Sequence, residues 1–321
     1  MMVNMEINDN DTKKMNFVEV FRNWFVFIVL IGLVIIFSLL SNRFCSFENF
    51  MVIGRQTAVV ALLAFGMTFV ITAAEIDLSV GSIVGLVGMV ATISLVNGAG
   101  LILSSIAGIL TGTIIGLFNG IITAKLRIPS FLVTLGTLGI ARGAALTVTN
   151  TKTVVLYDKS FAKFWGSGDI LGIPTSIIWV LFFLLISIVV YNYTAFGNYV
   201  KATGGNKVAA KYTGINTDRI IIAVMTISGF LSGVAGLLMT ARINAGRPEV
   251  GGDFNLDAVT AVILGGTRLF GGKGSIVNSL IGALIIGVIS NALVILGIQS
   301  NIQMIIKGVI VIAAVSVSEK N

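Results

Sequence analysis

Two carboxylates and a serine stand between two long apolar stretches in the first quarter of the chain, as Glu75, Asp77 and Ser79. Carboxylates at membrane depth cost free energy and are usually functional, so these two could bind a cation or exchange a proton. They are two residues apart, which places them on different sides of a helix, and they lie at a break between apolar segments. The sequence therefore favours a solvated or helix-capping role for them over an acid/base pair.

The composition excludes most other site chemistry. The 321 residues include no histidine and one cysteine, Cys45, which removes imidazole bases, histidine-ligated metals and internal disulfides. Residues 271–275, Gly-Gly-Lys-Gly-Ser, resemble a phosphate-binding loop but have Gly274 where that loop needs a hydroxyl residue after the lysine. We therefore expect no catalytic residue, no metal and no cofactor in this chain, and no ATP bound by the chain itself.

The hydropathy of the chain is that of a membrane protein. Hydrophobic residues make up 56% of it and charged residues 11%, with a mean hydropathy of +1.00, whereas soluble domains carry about a quarter charged residues. The 37 glycines allow membrane helices to approach closely, which favours a bundle. The net charge of +7 comes from scattered basic residues without a clustered patch, so nucleic acid is not an expected partner. The predicted fold class is an all-α integral membrane protein surrounded by lipid.

Apolar runs predict about ten transmembrane segments. The eighth is too short to cross and is predicted to be a short or broken helix, and residues 48–56 are predicted to be a polar re-entrant stretch. The ten runs are 24–40, 57–74, 82–96, 101–126, 131–148, 176–193, 220–241, 256–266, 275–296 and 302–317. The resulting division is a tail at 1–23, a transmembrane domain at 24–317 and a C-terminal tail at 318–321.

The distribution of basic residues predicts the orientation. With the N-terminus in the cytoplasm, the greater share of the lysines and arginines outside the apolar runs falls on the cytoplasmic side, as the positive-inside rule requires. Both termini and the polar loop 194–219 are then cytoplasmic.

This polar loop contains the signals of one short helix. Asn206 can accept hydrogen bonds from the amides of a first turn, and Gly214 can adopt the left-handed conformation that ends a helix, which predicts a helix over 207–213. Val208, Ala209 and Tyr212 share one face of it, and Lys207 and Lys211 share another. A helix this short needs a surface to lie on. We interpret that surface as a partner protein; the alternative is an amphipathic loop on lipid headgroups.

Neutral hydrogen-bonding side chains on or near the apolar segments form a second candidate site. They would suit a pathway for an uncharged polyhydroxylated solute, and hydrogen bonding between helices is an equally good explanation for each. With the residues of the segment break, the candidate pathway comprises Asp77, Ser79, Asn119, Thr134, Thr137, Asn150, Thr260 and Asn291.

Two basic residues lie inside apolar runs. Arg142 and Lys307 are expected to face the bundle interior, a cavity or a paired carboxylate. For Lys307, extension of the side chain to a membrane interface is favoured over pairing. Arg142 is nearer the outer end of its segment and can also reach the surface.

Five short stretches, in order over nearly the whole chain, resemble the ribose-type monosaccharide permeases of ABC importers. They are Gly66 to Thr72 leading to Ile76-Asp77-Leu78-Ser79-Val80-Gly81-Ser82; Arg142-Gly143 with Thr149-Asn150; Gly204-Gly205-Asn206 with Ala209-Ala210 and Gly214-Ile215-Asn216; Val262 to Thr267; and Gly271 to Gly274. Glu75 departs from the resemblance, because a small residue is expected there.

The resemblance implies a permease subunit in a bacterial plasma membrane, not an enzyme. Its expected partners are a second copy of the permease or a paralogue, a cytoplasmic ATPase that binds ATP and Mg²⁺, and an extracytoplasmic solute-binding protein. It also implies that the 194–219 loop is the coupling segment that seats in the ATPase, through Gly204, Gly205, Asn206, Ala209, Ala210 and Gly214.

Two questions stay open at the level of sequence. The solute is a monosaccharide such as ribose, another sugar, a nucleoside or an amino acid, and Glu75 near the pathway could favour a different or aminated ligand. The competing function is an ion-coupled secondary transporter that uses Glu75 or Asp77 as its cation site and needs no ATPase.

Overall fold

The computed structural model describes residues 26–318. The predicted N-terminal tail 1–23 and all but the first residue of the predicted tail 318–321 lie outside this range. The apolar helices are α1 Val26–Leu40, α2 Phe47–Thr72, α3 Val80–Val96, α4 Gly100–Leu126, α5 Ser130–Val148, α7 Thr175–Tyr193, α10 Thr217–Ile243, α11 Phe254–Leu264, α12 Ile276–Ile295 and α13 Ser300–Ser318. The shorter helices are α6 Lys159–Ala162, α8 Ala195–Gly205 and α9 Lys207–Tyr212, and a π-helical turn spans Lys163–Ser167.

The all-α architecture of a membrane protein is confirmed, but the predicted count of ten transmembrane segments is not. Within the described range, six helices are long and apolar enough to cross a bilayer, namely α2, α4, α5, α7, α10 and α12. Of the others, α1, α3 and α11 are shorter, and α11, the predicted short segment, has only 11 residues. In α13 the apolar part is Asn301–Ile312. Extended structure among the described residues is limited to two antiparallel pairs of two-residue strands, β1 Val154–Val155 with β4 Ala245–Gly246 and β2 Asp169–Ile170 with β3 Ile173–Pro174.

The predicted re-entrant stretch 48–56 is wrong, because these residues form the first turns of α2. Ser46 caps this helix by accepting a hydrogen bond from the amide of Asn49 at 3.2 Å. Glu48 lies in the first turn, where a negative charge is favourable. Polar residues at a capped helix end therefore extend α2 instead of interrupting it.

Glycines set the spacing at the centre of the bundle. Gly112 and Gly116 of α4 face Gly229 of α10 so closely that an added Cβ at either position would overlap the α10 backbone. Small residues four apart permit this approach between membrane helices. α10 also packs against α2, in which every residue from 57 to 72 is buried.

The bundle has two distinct ends. At one end, which we call the α9 end, the last residues of α2 lie against α8 and the loop that precedes α12. At the opposite end, residues 149–174 fold over the helices, where the Trp165 indole donates to Ser105 Oγ of α4 at 2.8 Å.

Candidate functional site

The segment 73–79 between α2 and α3 lies against α5. The Ile76 amide donates to Ser130 Oγ at 3.0 Å, and the Leu78 amide donates to Thr134 Oγ1 at 3.1 Å. Backbone amides at a helix break have no partner within a helix, so the hydroxyls of α5 satisfy them. This segment, which carries both carboxylates, is therefore tied to a membrane-spanning helix.

Asp77 is fully buried at the end of this segment. Its Oδ1 accepts hydrogen bonds from Ser79 Oγ at 2.6 Å and the Ser79 amide at 3.0 Å, and its Oδ2 accepts one from Ser228 Oγ of α10 at 2.8 Å. The carboxylate accepts from the amide of Ser79, the residue before α3, and no side chain caps the first-turn amides of α3, so the capping role stays a prediction. The prediction that Asp77 is solvated is wrong, because the surrounding helices bury its side chain completely.

The hydrogen bonds continue from Asp77 across the bundle. Asn119 Nδ2 of α4 donates to Ser79 Oγ at 3.0 Å, and Thr137 Oγ1 of α5 donates to Asn119 Oδ1 at 2.6 Å. We call Asp77, Ser79, Asn119, Thr137 and Ser228 the Asp77 network. The bonds of Asn119, Thr137 and Ser228 join different segments, which agrees with the interhelical explanation, and the pathway role stays a prediction.

Ser228 was missed in the sequence. It is a small polar residue in an apolar run, and its position four residues before Ser232, also buried, is the signal that could have identified it.

Of the four other predicted pathway residues, Thr134 binds the Leu78 amide next to this network, and three lie apart from it. Asn150 is exposed in a left-handed turn after α5, with φ of 50°. Thr260 donates within α11, to the Leu256 carbonyl oxygen at 2.6 Å. Asn291 is buried on α12, and its Oδ1 accepts no hydrogen bond from the described residues.

The predicted short helix is present as α9. Asn206 Oδ1 accepts hydrogen bonds from the amides of Val208 at 3.1 Å and Ala209 at 2.9 Å, and Gly214 has a φ of +86°. The preceding helix α8 was not predicted. Its signal was Thr194, whose hydroxyl accepts from the Gly197 amide at 3.4 Å as an N-cap.

The apolar face of α9 points away from the bundle. Val208 is 64% exposed and Tyr212 is 89% exposed, whereas Ala210 is 4% exposed and packs inward. The two lysines of α9 turn toward carboxylates: Lys207 Nζ lies 3.7 Å from Glu75 Oε1, and Lys211 Nζ lies 3.8 Å from Asp218 Oδ1. Glu75 therefore faces α9 and takes no part in the Asp77 network.

Glycine also determines how the α9 end packs. An added Cβ at Gly204 would overlap the Thr72 carbonyl oxygen at the end of α2, and that oxygen accepts a hydrogen bond from the Gly272 amide at 2.9 Å. At Gly205 the nearest atom to an added Cβ is Gly272 Cα at 3.9 Å, so there is room. The end of α8 is thus in backbone contact with α2 and with the loop before α12.

The two basic residues in apolar runs have different surroundings. Lys307 Nζ of α13 lies 2.8 Å from Asp257 Oδ2 of α11, so the preference for extension to an interface is wrong and the paired-carboxylate alternative is confirmed. Arg142 is exposed on α5, which agrees with the alternative that it reaches the surface, and it forms no ion pair with a carboxylate of the described residues. Within residues 26–318 there is no group of three or more Cys, Asp or Glu side chains placed to hold a metal ion.

The chain is similar in sequence to known proteins over most of its length. A family described as the branched-chain amino acid transport system / permease component matches residues 49–315. The ribose import permease protein of Haemophilus influenzae is 40% identical over 293 residues, covering 90% of each chain. That of Bacillus subtilis is 38% identical over 311 residues, covering 97% of each chain. The D-allose transport system permease protein of Escherichia coli is 36% identical over 309 residues, covering 96% of this chain and 94% of the relative. No solved structure matches.

Proposed function

The chain belongs to the family of branched-chain amino acid transport system permease components, and from this premise we propose that it is the membrane subunit of an ABC importer for a monosaccharide such as ribose. It is a multi-pass membrane protein, and as a permease component it is not itself an enzyme. Relatives at 40% and 38% identity named as ribose import permeases support the choice of solute. A relative named for D-allose shows that related chains serve other sugars.

The observation that carries the proposal is the exposed apolar face of α9. A capped helix of six residues that presents Val208 and Tyr212 outward would gain by burying them against a protein. Because Lys207 and Lys211 are drawn aside by ion pairs, that face carries no charge of its own. We propose that a cytoplasmic ATPase, which binds ATP and Mg²⁺, receives this face.

A cytoplasmic ATPase as the partner of α9 also determines the orientation of the permease in the membrane. With the α9 end in the cytoplasm, both termini are cytoplasmic and the opposite end faces the extracytoplasmic solute-binding protein. A second permease subunit, identical or paralogous, completes the bundle in the bacterial inner membrane.

Movement of α9 can be transmitted directly to the membrane helices. Lys207 contacts Glu75, and the next three residues are hydrogen-bonded to α5 through Ile76 and Leu78 and to α10 through Asp77. Displacement of α9 on nucleotide binding would therefore move a segment attached to two membrane helices. Such a contact can bias a bundle between two packings.

The test is ATP-dependent uptake of labelled ribose by proteoliposomes that contain the permease with the ATPase and binding protein that co-purify with it. Gly205→Pro removes the amide of the last α8 residue before the α9 cap, so we expect uptake to be abolished while the protein stays folded in the membrane. Gly205→Ala is the matched control and should keep uptake, because a Cβ fits there.

Two results would contradict the proposal. Normal uptake by the Gly205→Pro variant would remove the coupling role of this loop. Uptake by the permease alone, driven by a proton or sodium gradient, would instead support the ion-coupled transporter with Asp77 or Glu75 as its cation site.

A further inference from the structure

We propose that the solute binds in a cavity between α5, α11 and α13, beside the non-helical segment 244–253. The cavity has a volume of about 540 Å³, within the usual range for small-molecule sites. This inference rests on the proposed function and assigns the place where the permease holds its solute.

The segment 244–253 enters the bundle without helical structure. After α10 ends, Asn244 adopts a φ of +51° and residues 245–246 pair with β1. The segment then follows α3 from its end toward its start: Gly246 lies against Thr92, and Gly251 lies against Gly81. Thr92 and Gly81 are 11 positions apart on α3, which corresponds to a descent of about 16 Å.

Non-helical backbone inside a membrane must have its polar groups satisfied by other contacts. In a bilayer, unpaired backbone groups are tolerated only where protein buries them or where they line a water-filled cavity. One side of the segment is buried, because added Cβ atoms at Gly81 and Gly85 would overlap its backbone. On the other side, Glu249, Gly252 and Asp253 line the cavity. Discontinuous helices that begin inside the membrane, as α11 does at Phe254, are typical of solute sites in transporters.

The charged groups of the cavity are of two kinds. Asp257 and Lys307 are paired with each other at 2.8 Å. The residues Arg142, Glu249 and Asp253 also line the cavity. All three are exposed, and their side chains make no hydrogen bond or ion pair with other described residues. Charged side chains within a membrane protein usually pair with one another or mark a solute pathway.

These unpaired groups fit a polyhydroxylated solute. The guanidinium of Arg142 can only donate hydrogen bonds, and the carboxylates of Glu249 and Asp253 can only accept them. A sugar hydroxyl does both, so neighbouring hydroxyls can bridge the two kinds of group. A solute of a single charge would meet a group of the same sign.

The experiment uses the reconstituted importer with labelled ribose. Arg142→Gln and Asp253→Asn should each lower ribose uptake at saturating binding protein by at least about tenfold, the effect of losing one hydrogen bond to a charged group. Hydrolysis of ATP stimulated by the binding protein should persist, because α9 and its contacts are unchanged. Lys125→Gln, a change at an exposed lysine in the last turn of α4 outside the cavity, is the control and should keep uptake.

A steric variant tests the same site independently of charge. The nearest atom to an added Cβ at Gly252 is the Glu249 carbonyl oxygen at 4.0 Å, so Gly252→Trp can fold and place its ring in the cavity. Uptake should be blocked in this variant and retained in Gly32→Trp, where an added Cβ on α1 meets no atom of the described residues within 4 Å.

The outcomes separate this inference from the proposed function. If the unaltered importer shows no ATP-dependent ribose uptake, the proposed function fails. If it transports ribose and the three cavity variants match it, the cavity does not bind the solute. Competition by an amino acid but not by unlabelled sugars would also overturn the assignment to a polyhydroxylated solute.

Discussion

The Asp77 network and the cavity between α5, α11 and α13 both contain carboxylates, but the network buries Asp77 and the cavity leaves Glu249 and Asp253 exposed. Asp77 is fully buried and accepts three hydrogen bonds from Ser79 and Ser228. In the cavity, Glu249 and Asp253 have no partner among the described residues and face open space of about 540 Å³. A satisfied carboxylate holds helices together, whereas an unsatisfied one is available to a ligand.

This difference changes the interpretation of polar residues in the sequence. Residue type alone placed Asp77, Asn119 and Thr137 in the candidate pathway, and hydrogen bonding now accounts for each of them between helices. The cavity was not predicted as a pathway, although Arg142 and Lys307 had been expected to face a cavity or a carboxylate. If the cavity binds the solute as proposed, unmet hydrogen-bonding capacity is a better guide to a solute site here than polarity.

Removal of the Asp77 carboxylate should have the largest effect on stability. Asp77→Ala leaves the hydroxyls of Ser79 and Ser228 and the Ser79 amide without their acceptor in a buried place, which should destabilise the protein by about 3 kcal/mol. The measurement is the thermal unfolding midpoint in detergent, and we expect a clear decrease. Asp253→Ala is the matched control and should leave the midpoint unchanged, because its side chain makes no bond within the described structure.

The opposite result would contradict the structural role assigned to Asp77. If Asp77→Ala kept its unfolding midpoint and lost uptake, Asp77 would be a functional group of the pathway and the network would not be structural.

The paired charges of the cavity should give an intermediate effect. Lys307→Met leaves Asp257 as a mostly buried, unpaired carboxylate, and we expect a loss of about 2 kcal/mol, less than for a fully buried pair because Lys307 is partly exposed. The double variant Asp257→Asn/Lys307→Gln removes both charges and should recover most of the stability. Equal unfolding midpoints for the single and double variants would show that the two side chains are not coupled.

Local features of the structure could be predicted from the sequence, because their causes are local. Asn206 and Gly214 define α9 through hydrogen bonds and backbone conformation within three residues. The apolar runs likewise located the main helices. The prediction was wrong where local polarity was ambiguous. At the start of α2, a simple hydropathy pattern predicts a polar stretch outside the helix, whereas Ser46 and Glu48 favour helix formation.

The site could not be predicted in the same way, because its contacts join distant parts of the chain. Ser228 is 151 residues from Asp77 along the chain, and Lys307 is 50 residues from Asp257. Only helix packing brings these pairs together. The cavity depends further on the path of residues 244–253 along α3, which no residue pattern in that segment specifies.

Glu75 should give the smallest effect on stability, and it sharpens the contrast with Asp77 two residues later. Its pair with Lys207 spans 3.7 Å, and the Lys207 side chain is 47% exposed, so Glu75→Gln should change the free energy of unfolding by less than about 1 kcal/mol.

If the pair transmits movement from α9, the same variant should lower ribose uptake per ATP hydrolysed. The exchanged pair Glu75→Lys/Lys207→Glu should restore that ratio, since attraction between the same two positions returns. Lys211→Gln, on the same helix but paired with Asp218, is the control for general loss of positive charge from α9. An unchanged ratio in Glu75→Gln would confine the role of this pair to packing, and the contact of α9 with segment 73–79 would then have to act through backbone alone.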